Sequence, residues 1–437
     1  MAHHDSTRTI DLLKGHPNPA LLPAKAISDA ARAALADEAV ATPALLYGAD
    51  EGYLPFRQAI ADWNSSFYRR TISKDNVVIS GGASQNLACV LQVLTDPLCT
   101  RNVWIVSPAY MLVFRIFQDN GFASKMRAVP EIQDGLDVAW LEKELDMCHD
   151  TLQQHAQSPN KLKPDRAYSK CYRHVLYCVP TFSNPSSGIM STERREALIR
   201  LARKHDMLVV ADDVYDHLQW VNPPGQQRQP LTGAIQPRLV DIDATLDGGF
   251  TRPGADGFGN AMSNGSFSKI IAPGCRCGWT EGSEKLAFAI SQVGSSRSGG
   301  APSQLTSSYL KELLTSGWLT DHITHTLQPE YSKRHAIMRS ALEEHVLPLG
   351  CHITEPDGYM GGYFIWLRLP PGVDAEELAE HCKTTQNLII IPGTAFEVPV
   401  PGRIRHHDHI RLCFAWEHVS VLDEGIQRLA KALQKYL

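Results

Sequence analysis

The chain has 437 residues, of which 43% are hydrophobic and 20% are charged; this composition is ordinary for a globular protein, and the length predicts two domains. The formal net charge of −5 argues against nucleic acid or an anionic membrane as the main partner. No apolar run approaches the roughly 20 residues of a membrane helix, and residues 1–5 lack the order of a secretory signal. Ten scattered cysteines without a Cys-x-x-Cys pair fit reduced thiols, so we predict a cytoplasmic protein.

The first two thirds of the chain alternate between apolar strands and amphipathic helices. Residues 11–23 are proline-rich and predict an ordered, extended arm. The predicted helices that follow cover residues 54–68, 83–94, 111–120 and 192–205, and the predicted strands cover 76–80, 102–106, 174–179, 207–211 and 264–268. This alternation predicts an α/β fold with a mostly parallel sheet between helices. Such sheets bind ligands at the carboxyl ends of their strands.

The pattern changes near residue 306. The predicted elements there are helical residues 306–344, strand 362–369, helix 375–384, strands 388–391 and 409–414, and a last helix at 421–436. We therefore predict an N-terminal arm at 1–40 that belongs to a smaller α+β domain, a large domain at 41–305, and the small C-terminal domain at 306–437. Residues 148–169 are polar and residues 222–259 are rich in Gly and Pro, so both predict surface insertions, with a flexible loop at 248–259.

One lysine lies among small, hydroxyl and glycine residues, in the segment Ser266-Phe267-Ser268-Lys269, which precedes Arg276. A lysine amine attacks aldehydes once it has lost its proton, which a partly desolvated pocket favours. The serines can bind a phosphate, and Arg276 can hold it with its planar fork. A lysine-linked aldehyde that carries a phosphate describes pyridoxal 5′-phosphate (PLP), which we predict as the cofactor. The alternative is a solvated lysine in a surface loop.

Two further candidates follow predicted strands. The segment Gly81-Gly82-Ala83-Ser84-Gln85 opens a helix, where free N–H groups and the helix dipole favour a phosphate; the alternative is an ordinary turn with Ser84 as its cap. Tyr110 follows Pro108, where its ring can stack on a cofactor, although a core tyrosine is equally compatible with the pattern. Both positions lie at the edge of the sheet where the sequence predicts a ligand.

The remaining candidates are polar side chains beside apolar strands. Asn184, in a long polar turn, can donate to the phenolic oxygen of PLP, and Tyr215 can share that oxygen. Asp212 ends a buried strand, where a carboxylate keeps the pyridine nitrogen protonated; the alternative is a cap of the next turn. Arg411 lies in an apolar strand and needs an anion, either a substrate carboxylate or the partner of a structural salt bridge.

In order and spacing these residues resemble the class I/II aminotransferases of the fold-type I PLP enzymes, from Gly15 to Arg411. The arm segment Gly15-His16-Pro17-Asn18-Pro19 is similar to that of the aminoadipate/kynurenine/aromatic multi-substrate subgroup, whose arm covers the substrate, although the subgroup more often has glycine at position 16. The resemblance implies the cofactor-binding residues Lys269, Ser84, Gln85, Tyr110, Asn184, Asp212, Tyr215, Ser266, Ser268 and Arg276, together with Tyr47, which reaches the phosphate of the partner subunit. It also implies the catalytic residues Lys269, Asp212 and Tyr215, and the substrate-binding residues Arg411, Asn184 and Gly15.

The implied activity is transfer of an amino group from an L-amino acid to a 2-oxo acid. It follows a ping-pong course through a Lys269 internal aldimine, in a homodimer with shared active sites. The alternatives are another PLP reaction on this fold, such as β-elimination, decarboxylation or cyclisation, and a non-catalytic regulator. Arg297 either binds a distal substrate carboxylate or is a solvated loop residue, and Tyr53 and Tyr359 are aromatic candidates for the mouth of the site. The run His406-His407-Asp408-His409 predicts a structural turn, and we predict no metal.

Overall fold

The computed structural model describes residues 8–153, 161–221, 229–297, 302–356 and 358–437. Its α-helices are α1 (Ala24–Ala36), α2 (Glu38–Ala44), α3 (Leu54–Tyr68), α4 (Ala83–Leu94), α5 (Leu112–Phe117), α6 (Val138–Gln153), α7 (Thr192–Lys204), α8 (Leu239–Thr245), α9 (Glu284–Ser291), α10 (Gln304–Thr315), α11 (Trp318–His322), α12 (Gln328–His345), α13 (Ala375–Thr385) and α14 (Leu422–Leu433). In the described ranges, no helix is long and apolar enough to cross a membrane.

The strands are short and mostly buried. They are β1 (Ile10–Asp11), β2 (Val77–Ser80), β3 (Asn102–Ser107), β4 (Met126–Ile132), β5 (Gly135–Leu136), β6 (His174–Cys178), β7 (Met207–Asp212), β8 (Gln219–Val221), β9 (Gln229–Pro230), β10 (Ala261–Ser266), β11 (Gly278–Glu281), β12 (His352–Ile353), β13 (Tyr359–Gly361), β14 (Phe364–Arg368), β15 (Leu388–Ile389), β16 (Ile391–Pro392) and β17 (His409–Cys413).

The main sheet has the strand order β2-β11-β10-β7-β6-β3-β4-β5. The run from β10 to β4 is parallel, whereas β11 is antiparallel to both of its neighbours. Two clusters of buried apolar residues cover this sheet, one beneath α4, α5 and α9 and one beneath α6, α7 and α8. The predicted α/β fold with a mostly parallel sheet is therefore confirmed. In the register of β10 with β7, Asn264 lies opposite Asp212, which places the ends of these two strands at one edge.

The C-terminal region forms a second sheet, with the order β12-β14-β17-β16. The N-terminal arm joins this region because β1 pairs in parallel with β15, Ile10 opposite Leu388. The backbone N–H of Cys413 also donates to the carbonyl of Leu12 at 2.8 Å. The arm therefore belongs by hydrogen bonding to the C-terminal part of the chain, and the boundaries near residues 40 and 305 stay predictions.

Several predicted elements differ from the structure. The segment 222–259 is not one surface loop, because residues 239–245 form α8, whose buried Leu239 and Ile242 pack in the core beside α7; residues 222–228 lie outside the described residues. The insertion predicted at 148–169 begins inside α6, which continues to Gln153, and residues 154–160 again lie outside the description. The strand predicted at 388–391 is divided between β15 and β16, which belong to different sheets.

Candidate active site

A cavity of about 330 Å³ opens at the carboxyl ends of the parallel strands. Its lining includes the predicted site residues Gly15, Ser84, Tyr110, Asn184, Asp212, Tyr215, Ser266, Ser268, Lys269, Arg276 and Arg411. Tyr110, Asp212 and Lys269 follow or end β3, β7 and β10, and they meet because parallel strands end at one edge of the sheet. Gly15 reaches the cavity from the arm, and Arg411 reaches it from β17 of the C-terminal sheet. The strand-end residues Tyr110, Asn184, Asp212 and Lys269 therefore do share one crevice, as the sequence predicts, while the roles given to the eleven residues stay predictions.

Lys269 lies in the turn directly after β10. Its Nζ donates to the carbonyl oxygen of Gly15 at 2.6 Å, so the arm closes over the amine. Burial lowers the pKa of Lys269 to about 8; the cation of Arg411 lowers it further, while the nearby Cys413 thiol and the Asp212 carboxylate oppose the shift. A substantial fraction of this amine is therefore unprotonated near neutral pH, as a nucleophile or a general base requires.

The carboxyl group of Asp212 ends β7 and is buried against neighbouring strands. Tyr177 donates its hydroxyl proton to Asp212 Oδ2 at 2.7 Å, and the side-chain amide of Asn264 approaches Oδ1 at 3.4 Å. Burial raises the pKa of Asp212 to about 6, although the Tyr177 bond and the Lys269 charge favour the ionised form. A cationic group beside this carboxyl would therefore favour its ionised form and offset the cost of burying that charge.

A cup of donors surrounds the start of α4. Gly82 has φ 98° there, a backbone conformation that glycine adopts without strain, and its hydrogen leaves space for Arg276, whose Nη2 would lie 2.6 Å from a Cβ. Arg276 donates to the carbonyl of Gly81 at 2.7 Å. The hydroxyl oxygens of Ser266 and Ser268 are 2.9 Å apart on the facing strand end. Hydroxyls, a guanidinium and free N–H groups at the helix N-terminus are together the chemistry that binds a phosphate.

Arg411 points from β17 into the same cavity and is only 2% exposed. Its Nη1 donates to Asn184 Oδ1 at 2.8 Å, and its guanidinium carbon lies 4.0 Å from the ring centroid of Phe364. Its Nη2 donates to the backbone carbonyl of Leu13 at 2.5 Å, and its Nε is buried without a hydrogen-bond partner among the described residues. Burial lowers the pKa of Arg411, but the group stays cationic at neutral pH and is available to an anionic ligand.

The rings of two tyrosines complete the lining of the cavity. Tyr110 follows β3, and Tyr215 is 3% exposed, with its ring 5.7 Å from that of Tyr363. Burial raises the pKa of both phenols, with Asp212 adding to the effect. Both hydroxyls therefore stay protonated and act as hydrogen-bond donors near neutral pH.

Two predicted residues do not line the cavity. Gln85 lies in the first turn of α4, but its side chain accepts a proton from the backbone N–H of Gly81 at 3.0 Å and turns toward Cys89. Tyr47 is 87% exposed on another face of the chain. The structure thus gives Tyr47 no role within its own subunit's cavity, and the predicted contact with a partner stays a prediction.

The other candidates of the sequence lie elsewhere. Arg297 forms an ion pair with Asp50 at 3.4 Å, as a loop arginine does. Tyr53 is buried in the core at the start of α3, and Tyr359 is partly exposed on β13. Neither tyrosine belongs to the cavity lining among the described residues.

Sequence reasoning missed several residues of the site. Tyr177 escaped notice because it lies inside an apolar strand, although a tyrosine beside a buried aspartate on the next strand is a usable signal. His16 and Lys14 of the arm, and Leu13, Met111 and Phe364, also line the cavity. Burial and the charge of Lys269 lower the pKa of His16, so this imidazole is neutral at pH 7. Leu13, Met111 and Phe364 are apolar parts of the lining, which a substrate side chain can contact.

These features fit PLP on the chain's own geometry. The cavity combines an amine with a lowered pKa, a buried carboxyl group that accepts a hydrogen bond from Tyr177, and a cup of donors in which the positive φ of Gly82 favours glycine beside Arg276. A parallel sheet with these three groups at its carboxyl edge defines a fold-type I enzyme of the PLP-dependent class.

The comparisons with known proteins agree with this class. The model of the family "Aminotransferase class I and II" matches residues 18–429, so the chain belongs to that family. An uncharacterised protein of Saccharomyces cerevisiae, YER152C, is 36% identical over 439 residues, or 96% of each chain. A multiple substrate aminotransferase from Thermococcus profundus matches with a TM-score of 0.79 and 26% identity over 99% of this chain and 93% of that one. The kynurenine aminotransferase of Pyrococcus horikoshii matches with a TM-score of 0.78 and 27% identity over 99% and 92%.

The family prediction is therefore confirmed, and the protein is an aminotransferase. Its structural neighbours include multi-substrate, kynurenine and aminoadipate aminotransferases, the types that the arm segment of the sequence resembles. The family is PLP-dependent, and its members act on amino acids and 2-oxo acids.

Proposed function

We propose that this chain binds PLP through Lys269 and transfers the amino group of an L-amino acid to a 2-oxo acid by a ping-pong course. The proposal depends above all on Lys269, a buried amine with a pKa of about 8 that shares one cavity with Asp212 and Arg411. When bound, PLP supplies an aldehyde and an electron-withdrawing ring, which stabilises charge on the α-carbon of the amino acid.

Each residue of the cavity has a defined task in this proposal. Lys269 accepts a proton at Nζ and returns it, because its pKa lies close to the working pH. Asp212, steadied by the hydroxyl of Tyr177, holds a proton on the ring nitrogen. Arg411 binds the substrate carboxylate with its planar fork, while Asn184 fixes the guanidinium in place. A single cavity serves donor and acceptor, so the two substrates react in turn.

In this proposal the substrate side chain contacts the apolar lining residues Leu13, Met111 and Phe364, and His16 belongs to the same lining. This surface favours aromatic or large apolar amino donors, and the complex of the P. horikoshii kynurenine aminotransferase with kynurenine is compatible with that preference. R411K keeps the positive charge and loses the fork, so it should raise KM for amino donors by about 10- to 100-fold. Unchanged absorbance of the bound cofactor would locate the defect in substrate binding.

We also propose that the enzyme works as a homodimer. Leu45, Leu46 and Tyr47 are each more than 60% exposed, and Leu112, which lines the cavity, is 58% exposed. Exposed apolar side chains in such number are typical of a surface covered by a partner. A monomeric, fully active species in sedimentation would contradict the proposal. The cytoplasmic location stays a prediction, which cell fractionation would test.

The central experiment traps the cofactor on the chain. Holoenzyme is treated with borohydride, digested, and examined by mass spectrometry for a cofactor adduct on the Lys269 peptide. K269A should give no adduct, whereas K333A, which alters an exposed lysine of α12, should behave like the wild type. A panel of amino donors with 2-oxoglutarate then tests the transfer itself. Colourless protein after exposure to PLP, or release of pyruvate and ammonia in place of transfer, would count against the proposal.

A further inference from the structure

A second cavity, of about 280 Å³, lies at the opposite edge of the main sheet. Its lining consists of Arg101, Leu145, Arg173, His174, Arg203, Lys204, His205 and Asp206. Most of these residues directly precede β3, β6 and β7 or end α7, so they lie at the amino ends of strands whose carboxyl ends form the active site. At ~3.3 Å per residue, the six residues of β7 separate the two sites by about 20 Å.

Some charges of this second cavity are already compensated. Arg203 forms a two-pronged bond with Asp243 Oδ1. Lys204 pairs with Glu142 at 2.9 Å and with Asp146 at 3.1 Å. Asp206 pairs with Lys170 at 2.7 Å. The charges of Arg203, Lys204 and Asp206 are therefore balanced by these ion pairs. The uncompensated positive charge of the cavity comes from its other cations.

Arg101 and Arg173 are the cations that lack such compensation. Neither guanidinium forms an ion pair with a carboxylate of the described residues. The backbone N–H of Arg101 donates to the carbonyl of Arg173 at 2.8 Å, so the two residues are held side by side. Burial lowers the pKa of Arg101, and the charge of Arg173 lowers it further. Two like charges held together cost free energy, which a bound anion would recover.

His174 adds a neutral donor to these two cations. Trp104 donates its indole N–H to His174 Nδ1 at 3.3 Å, so the proton of the neutral imidazole lies on Nε2. The side chain is 4% exposed and lines the cavity. Burial, with the charge of Arg101, lowers the pKa of His174 to about 3, so at neutral pH the ring is an uncharged hydrogen-bond donor.

We propose that this cavity binds the phosphate group of a small phosphate monoester. Two guanidinium groups and an imidazole belong to the lining of this cavity, and a phosphate monoester has three terminal oxygens that can accept hydrogen bonds from them, whereas a carboxylate has two. The apolar side of Leu145 and the volume of the cavity leave room for a small organic part beside the phosphate. The site is separate from the phosphate cup at α4, on the other edge of the sheet.

The test uses holoenzyme, in which PLP already fills the cup at α4. Calorimetric titration with glycerol 3-phosphate should give saturable binding with one site per chain. R101Q and R173Q should each weaken this binding at least about tenfold, since each removes charged hydrogen bonds to the anion. R200Q is the matched control, because Arg200 lies exposed on α7 and pairs with Glu196 and Asp247; its affinity should equal that of the wild type.

Two further measurements make the result decisive. R101K keeps the positive charge, so its affinity for glycerol 3-phosphate should lie between those of the wild type and R101Q. This intermediate affinity would distinguish the loss of a contact from damage to the fold. Trp104 fluorescence should change with saturation and lose its response in W104F. Weaker binding of succinate and of inorganic phosphate supports a monoester site. Absence of saturable binding, equal affinity in R101Q, or binding of succinate or inorganic phosphate as tight as that of the ester would overturn the proposal.

Discussion

The hydroxyl of Tyr363 donates to the backbone carbonyl oxygen of Lys269 at 3.1 Å, and the Tyr363 ring lies 5.1 Å from Lys269 Nζ. The same hydroxyl is 3.2 Å from that of Tyr331, and both rings are fully buried. Tyr363 precedes β14 of the C-terminal sheet, whereas Lys269 follows β10 of the main sheet. One hydrogen bond therefore fixes the backbone of the reactive lysine to the C-terminal part of the chain.

Y363F removes this bond and keeps the ring. We expect the free energy of unfolding to fall by about 1 kcal/mol, the typical net value of one hydrogen bond. The amine should also be held less firmly, so kcat should fall more than KM rises, with altered absorbance of the bound cofactor. Y331F is the control, because it leaves the bond to Lys269 in place. Equal kinetics for Y363F and the wild type would show that the bond serves stability alone.

D212N should have opposite effects on stability and activity. The folded pKa of about 6 exceeds the ordinary 3.8, so from about pH 4 to pH 6 the cofactor-free folded state retains a proton that the unfolded state has lost. Its free energy of unfolding therefore falls as pH rises through this window, by about 3 kcal/mol at most. D212N carries no such cost and should unfold at higher temperature than the wild type above pH 6. Scanning calorimetry of both cofactor-free proteins at pH 4 and pH 7 measures this difference.

The same variant should lose at least about 100-fold in kcat, because an amide cannot hold a proton on the ring nitrogen. Tyr177 is the reference position: Y177F keeps the carboxylate and removes its hydrogen bond, so its activity should lie between those of D212N and the wild type. Retention of full activity in D212N would exclude the task proposed for this carboxylate.

The rate of cofactor binding should depend on the protonation of Lys269. Only the unprotonated amine attacks an aldehyde, and the pKa of this amine is about 8. The rate at which PLP binds to cofactor-free protein, followed by absorbance, should therefore rise with pH and reach half of its maximum near pH 8. Since the Asp212 charge raises the pKa of the amine, D212N should move this midpoint to lower pH. A midpoint above pH 10 would mean that the amine is not desolvated.

G15A should loosen the arm over the cavity. A Cβ at position 15 would lie 2.8 Å from Cζ of Phe364, the ring that packs on Arg411. The arm or the ring must shift, at a cost of about 1–3 kcal/mol, and KM for amino donors should rise. G294A is the matched control, because no atom lies within 4 Å of a Cβ there. Identical KM values for the two variants would refute the effect.

Much of the fold was predictable where sequence periodicity was strong. Helices α3 and α4 begin and end at the predicted residues, because their apolar positions repeat with helical spacing and Gly82 marks the start of α4. Strand β10 was predicted to begin three residues and to end two residues too late, since its sequence Ala-Met-Ser-Asn-Gly-Ser contains no β-branched residue. Helix α8 was missed because glycine and proline flank it on both sides, and its helical state depends on burial in the core.

The part of the site that could be predicted consists of reactive or charged side chains at the ends of strands or within apolar strands. Lys269, Asp212 and Arg411 each stand out in their segments, and the cavity brings them together. Tyr177 and Tyr363 do not stand out in the sequence, because tyrosine is common in apolar strands. Their importance depends on which residues the fold places beside them. Contacts between distant segments, such as Lys269 with Gly15, are set by tertiary packing, which no local pattern records.

The pairing of β1 with β15 also affects how the chain folds during its synthesis on the ribosome. Residues 10–12 acquire their partners only when residues 388–413 have been synthesised, and domains generally fold in the order of their synthesis. Residues 10–12 therefore emerge from the ribosome long before the strands with which they pair. A nascent chain that already has the main sheet lacks the paired arm over its pocket until residues 388–413 have been synthesised.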